Sequence, residues 1–137
     1  MSTGASACRA ALETLGVRRI AAFSPYQPIA DTQVARFFEE AGFEVVRITG
    51  LRCKTATAIA EVGEDALRKV LRDLDGPDVD AIVQAGTNLS MVRLADEAER
   101  WLGKPVIAIN AATLWHALRA NGIRDRFTGY GSLLREH

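Results

Sequence analysis

Cysteine is scarce in this chain of 137 residues: only Cys8 and Cys53 occur, far apart and outside any C-x-x-C pair. With neither of the two histidines at ligand spacing from them, an ordinary zinc site is excluded, as is the disulfide framework of a small secreted domain. A reduced, cytoplasmic setting is expected. Charge of one sign is missing as well. The 17 basic and 17 acidic side chains cancel, and no Lys/Arg block is longer than Arg18-Arg19. Neither nucleic acid nor a membrane surface is favoured electrostatically. Long apolar runs are also lacking: none approaches the roughly 20 residues that cross a bilayer, and the opening "MSTGASACRAALETLG" has no apolar signal-peptide centre. A soluble protein holding a small, anionic partner is expected.

What is present is alternation. Cys8, Ala11, Leu12 and Leu15 fall at i, i+3, i+4 and i+7, which predicts a helix over 5–15 closed by Gly16. The apolar strand "RRIAAFS" follows at 18–24. Val34, Phe37, Phe38 and Ala41 predict a second helix ended by Gly42, and "FEVVRIT" a strand at 43–49. Residues 50–62 read as a loop with at most one helical turn. Leu67, Val70, Leu71 and Leu74 restore the helical period until "GPD" at 76–78 stops it. The strand "DAIVQA" leads to a helix with the stripe Met91, Leu94, Ala95, Ala98, Trp101 and Leu102. "KPVIAIN" predicts a fourth strand, "AATLWHALRANG" a helix ended by Gly122, and "FTGYGSLLREH" a loop with a short terminal segment.

Short apolar strands separated by helices must run parallel, because each crossover helix returns the chain to the same end of the sheet. The expected fold is a single α/β domain over 1–137, with a four-stranded, doubly wound parallel sheet of the Rossmann/flavodoxin-like kind. At this length the chain can bury a core without disulfides or metals.

Ligands of open parallel sheets bind beyond the carboxyl ends of the strands. Four segments qualify: Ser24-Pro25-Tyr26, 50–56, Gly86-Thr87-Asn88 and Asn110-Ala111-Ala112. Gly86 permits close backbone approach, and Thr87 and Asn88 stand where the free N–H groups of a following helix would hold a carboxylate or phosphate oxygen. Helix capping by Asn88 or Ser90 is the competing explanation of that turn. Tyr26 is either a donor to the same oxygen or an ordinary amphipathic surface residue. Asn110 is read as a helix cap first and a pocket wall second, His116 as structural, Cys8 as core. Cys53 lies between Arg52 and Lys54, which would favour its thiolate, and is the single candidate nucleophile. No metal site is expected. A dinucleotide-binding domain is disfavoured, since "SPYQPI" stands after the first strand in place of G-x-G-x-x-G.

The segments "LGVRRIAAFSPY", "DAIVQAGTNLS", "ERWLGKPVIAINAATLWHALRANGI" and "GYGSLL" together resemble the C-terminal half of the maleate cis-trans isomerase and arylmalonate decarboxylase family, within the aspartate/glutamate racemase superfamily. The resemblance implies a cofactor-independent enzyme of two similar α/β halves with the active site between them. Cysteines at equivalent strand ends act as acid, base or nucleophile, and backbone amides and hydroxyls hold the substrate carboxylate and the enediolate-like charge. Tyr26 matches the carboxylate-binding tyrosine, and Gly86, Thr87 and Asn88 the strand-end turn.

Two departures stand out. Gly86 occupies the place of this half's cysteine, and Ala56 that of the asparagine isomerases set on the carboxylate; neither Cys53 nor Cys8 aligns as a substitute. The catalytic residue is therefore unassigned, and the resemblance implies that the thiol comes from an N-terminal half or another chain. The expected partner is a small carboxylate substrate, with homodimerisation or pairing with an N-terminal half. The alternative is a non-catalytic carboxylate-binding or self-assembling module.

Overall fold

The computed structural model describes residues 4–24, 35–50, 64–84, 92–126 and 132–137. In chain order these form α1 (Gly4–Leu15), β1 (Arg19–Ser24), the helical residues 35–40 as α2, β2 (Glu44–Gly50), α3 (Glu64–Leu74), β3 (Ala81–Gln84), α4 (Val92–Leu102), β4 (Val106–Ala108), α5 (Ile109–Ala120) and α6 (Ser132–Glu136). The four strands make one parallel sheet in the order β2-β1-β3-β4, as the alternation of elements requires. The expectation for 50–62 falls, beyond Gly50, outside the described residues.

Two apolar layers sandwich the sheet. Ala22, Val83 and Ile107 project to one side, where α1, α5, α6 and Phe38 of α2 cover them. Ala21, Ile82 and Val106 project to the other, against Leu67, Leu71 and Leu74 of α3 and Leu94, Ala95 and Ala98 of α4. Period-two alternation in the strands and 3.6-residue stripes on the helices therefore meet, and each fully buried leucine or isoleucine adds about 1.5–3 kcal/mol of transfer free energy. The α1 stripe is Ala7, Cys8, Ala11 and Leu12, with Leu15 half-buried at its margin. Its end is set by Gly16, whose φ of 73° is the left-handed conformation that closes a helix.

Three details depart from the simple pattern. β2 carries one extra residue: Ile20 pairs with Val45 but Ala21 with Arg47, so Val46 is bulged out. The slip turns Arg47 to the α3/α4 side, where its guanidinium donates from Nη1 and Nη2 to the two carboxylate oxygens of Asp78, at 3.0 and 3.1 Å. Trp101, expected on the inner stripe of α4, is 39% exposed, with the Arg72 guanidinium 5.3 Å from its ring centroid. The fourth strand is three residues long, and helix α5 begins at Ile109, two residues before its expected start.

Candidate functional site

Strand order decides where a ligand crevice forms. From β1 the chain crosses to β2 on one side, and from β3 to β4 on the other, so the loops leaving β1 and β3 diverge at the sheet centre. Phe23 pairs with Gln84, and Gln84 with Ala108, so three carboxyl ends stand level. Neighbouring parallel strands lie about 5 Å apart. Tyr26 is two residues beyond Ser24 in sequence and Gly86 two beyond Gln84; the described ends of β1 and β3 lie side by side at the switch point. Tyr26, Gly86, Thr87 and Asn88 themselves lie outside the described residues, as do Cys53 and Ala56.

The described floor of this edge is built from small apolar residues and the start of a helix. Helix α5 starts without a loop: Ala108, the last strand residue, is also its N-cap, with φ −89° and ψ 132°, and no side chain caps the helix. The first N–H groups of α5 and the positive end of its dipole therefore sit at the strand ends without a side-chain acceptor from the cap. This corrects the expectation for Asn110, which is not the cap but a half-buried residue of the first helical turn. The strand "KPVIAIN" ends early because Ile109 and Ala112 are needed on the α1 side of the core, a spacing that only a helix satisfies.

Gln84 is the polar residue that the sequence pattern did not single out. It ends β3 and is fully buried. A carboxamide inside a four-residue, wholly buried strand is itself the available signal, because burying it costs free energy unless it is hydrogen-bonded.

The remaining candidates are placed elsewhere. Cys8 is enclosed by the α1 core, and burial pushes its thiol up to about 12, so no thiolate forms near neutrality. His116 lies half-buried in α5 with its ring stacked near Trp115, centroids 6.1 Å apart. Among the described residues no group of three or more His, Cys, Asp and Glu side chains could hold a metal, and no helix is long and apolar enough to cross a membrane.

The charged contacts gather at the opposite, amino edge. The Asp80 carboxylate accepts the backbone N–H groups of Arg19 and Arg18 at 3.0 and 3.3 Å, and these bonds hold its acidity stronger than usual. Lys104 Nζ donates to the carbonyls of Gly76 and Val79, both at 2.9 Å, and lies 2.5 Å from Asp75 Oδ1. Two shallow cavities of about 380 and 270 Å³ open at this edge, the first between the Gly16 and Gly42 turns, the second beside Gly103 and Arg135. Their linings are helix ends and ion-paired loops, not strand carboxyl ends.

Residues 1–134 match the model of the family described as arylmalonate decarboxylase. The chain belongs to this family. Among its relatives, the maleate isomerase of Pseudomonas putida is 29% identical over 133 residues, which is 96% of this chain and 53% of that protein. The arylmalonate decarboxylase of Bordetella bronchiseptica is 30% identical over 131 residues, covering 91% of this chain and 53% of the relative. A maleate cis-trans isomerase variant from Nocardia farcinica, solved with a covalently bound succinylcysteine intermediate, superposes with a TM-score of 0.93 at 27% identity over 98% of this chain and 55% of that one. This family chain thus spans about half the length of the relatives it matches.

Proposed function

We propose that this chain is the carboxylate-binding half of a cofactor-independent isomerase or decarboxylase acting on a small dicarboxylate. The observation that supports the reading is the register Phe23 to Gln84, which sets the carboxyl ends of β1 and β3 side by side at the switch point of the sheet, the two strands that precede Tyr26 and Gly86-Thr87-Asn88 in the chain. In this reading the Tyr26 hydroxyl, the Thr87 hydroxyl and the backbone N–H groups at 86–88 bind the carboxylate, and they hold the negative charge that spreads onto it during reaction. The start of α5, which no N-cap side chain closes, adds a favourable dipole at the carboxyl edge of the sheet without adding a competing carboxylate.

The thiol comes from elsewhere in this reading, because Gly86 occupies the strand-end position and the Cys8 thiol is sealed in the core. A succinylcysteine, as found in the Nocardia farcinica protein, is a thiol bonded to a saturated four-carbon dicarboxylate. Its central carbon–carbon bond is single and free to rotate, which is what cis-trans interconversion of an alkene requires. A half that binds and polarises the carboxylate complements a second α/β half that supplies the sulfur, whether that half precedes this domain or belongs to another chain. The cysteine usage supports a reducing, cytoplasmic setting for such a thiol.

Calorimetric titration of the purified chain with maleate, alongside assays for fumarate formation and for CO2 release from an arylmalonate, tests this directly. Expected are saturable maleate binding, an affinity loss of about tenfold in Tyr26→Phe, and no turnover in either the wild type or Cys53→Ala. Absence of binding, with Tyr26→Phe indistinguishable from wild type, overturns the reading. Turnover that Cys53→Ala abolishes would make Cys53 the nucleophile of a self-sufficient enzyme.

A further inference from the structure

The sheet ends in two unlike strands. β4 has three residues, and β2, at the other end of the order β2-β1-β3-β4, has seven, the most of any strand. An outer strand bonds on one side only, so its free side offers backbone N–H and C=O groups to any strand that can lie along it. β4 is too short to offer many. β2 is the larger liability: Val45, Val46 and Ile48 favour extended backbone, residues 45–48 are only half-buried, and among the described residues no further strand pairs with it.

The Val46 bulge interrupts that edge after its second residue. Neither register nor packing demands the interruption. Val45 and Ile48 meet the α1 side, while Val46 and Arg47 both turn to the α3/α4 side. Without Val46 the remaining residues would alternate regularly, and all six pairs with β1, from Arg19 with Glu44 to Ser24 with Gly50, would keep their partners and faces. Val46 itself lines only the margin of its layer, half-buried. What the extra residue does is bend the strand and break the row of outward groups. Arg47 follows it directly, an ionised side chain in an outer strand, held inward by Asp78.

We propose that the Val46 bulge and Arg47 guard the β2 edge against a second copy of this chain, so that two copies do not join by continuing one sheet into the next. A second copy is the partner to be excluded because it carries the complement. In a straightened β2, a twofold axis through Val45 would set Val45 opposite its own copy and the exposed Glu44 opposite Arg47, an attractive pair on each side of the axis. Any contact between copies in solution is therefore made away from β2. The inference stands apart from the carboxylate reading.

Deletion of Val46 straightens the edge, and Val46→Ala trims the side chain while keeping the bulge. Sedimentation and amide hydrogen exchange along β2, each followed over a range of concentration, read the result. In the deletion variant the mass should double relative to wild type as concentration rises, and exchange in β2 should slow about tenfold. Adding Glu44→Lys to the deletion, which sets like charges opposite, should abolish both effects. Wild type and Val46→Ala should show β2 exchange independent of concentration. A folded deletion variant with wild-type mass throughout would overturn the proposal, as would wild-type β2 exchange that slows on concentration. Doubling that survives Glu44→Lys with β2 exchange unchanged would also overturn it, since the copies would then meet elsewhere. Should the deletion variant not fold, the wild-type exchange decides.

Discussion

The two ends of the sheet use polar groups in opposite ways. At the amino edge, charges are spent on backbone: Asp80 accepts two N–H groups at the start of β1, Lys104 draws Asp75, Gly76 and Val79 together, and Arg47 forks onto Asp78. At the carboxyl edge the described polar groups are neutral. Gln84 is a buried carboxamide, and α5 presents N–H groups that no side chain caps. The charges at the amino edge serve architecture, and the proposed site stands beside dipoles. That division is physically sensible, because a fixed carboxylate at the carboxyl edge would repel an anionic substrate, while oriented dipoles attract it and need no counter-ion.

The strongest blow to this contrast should come from Lys104→Met. Removing the ammonium leaves two carbonyls and a carboxylate without their shared donor, at a side chain only 17% exposed. A loss of about 2–3 kcal/mol is expected, or roughly 5–10 °C in melting temperature, with maleate affinity unchanged. A parallel loss of affinity would show that the two edges are coupled. Thr87→Ala should do the reverse: an affinity loss of about tenfold, or 1.4 kcal/mol, with the melting temperature unmoved. Should the protein melt earlier and bind as before, Thr87 would be a helix-start residue only.

A smaller effect is expected from Gly76→Ala, whose new Cβ would stand 2.7 Å from Asp78 Oδ1 and 3.2 Å from Arg47 Nη1. Both atoms end flexible side chains, so the cost should be about 1 kcal/mol through a displaced Arg47–Asp78 fork. Chemical denaturation of Gly76→Ala, Arg47→Met and the double variant would show this as non-additivity.

The smallest effect sharpens the picture through pH. Hydrogen bonds from the Arg19 and Arg18 N–H groups lower the pKa of Asp80, and the Arg47 guanidinium does the same for Asp78. A carboxyl whose folded value lies below its unfolded value of 3.8 contributes stability that is complete above that value. The contribution is lost as pH falls through the folded value. Melting temperature should therefore drop on acidification below about pH 4, and less steeply in Asp80→Asn. Both carboxylates are exposed enough for solvent to keep the effect modest. An unchanged acid limb in that variant would place the acid sensitivity elsewhere.

Much of the architecture was legible because two periodicities are hard to confuse over long segments. Leu67, Leu71 and Leu74 could only stripe a helix, and "RRIAAFS" could only be a short buried strand, so element order and parallel pairing followed. Boundaries were less legible where one run of apolar residues serves two elements, as in "KPVIAINAA": Ile107 points from a strand and Ile109 from a helix, yet both reach the same core. Local composition cannot separate them. The Val46 bulge was invisible too, since "EVVRI" alternates acceptably in either register until Asp78 is known to lie opposite Arg47. The burial of Gln84 was hidden for the same reason: in sequence it is one polar letter in "DAIVQA", and only the pairing with Phe23 and Ala108 shows it sealed at the head of the sheet.

By itself, then, the sequence determined the α/β class, the helix and strand succession and the family, because each follows from nearest-neighbour periodicity or from motifs contiguous along the chain. The order β2-β1-β3-β4, the switch point it creates, and the meeting of residues near 24, 84 and 108 were decided only by tertiary structure. Those contacts join positions some 24 to 60 residues apart, and their energy lies in packing between elements that no local pattern records.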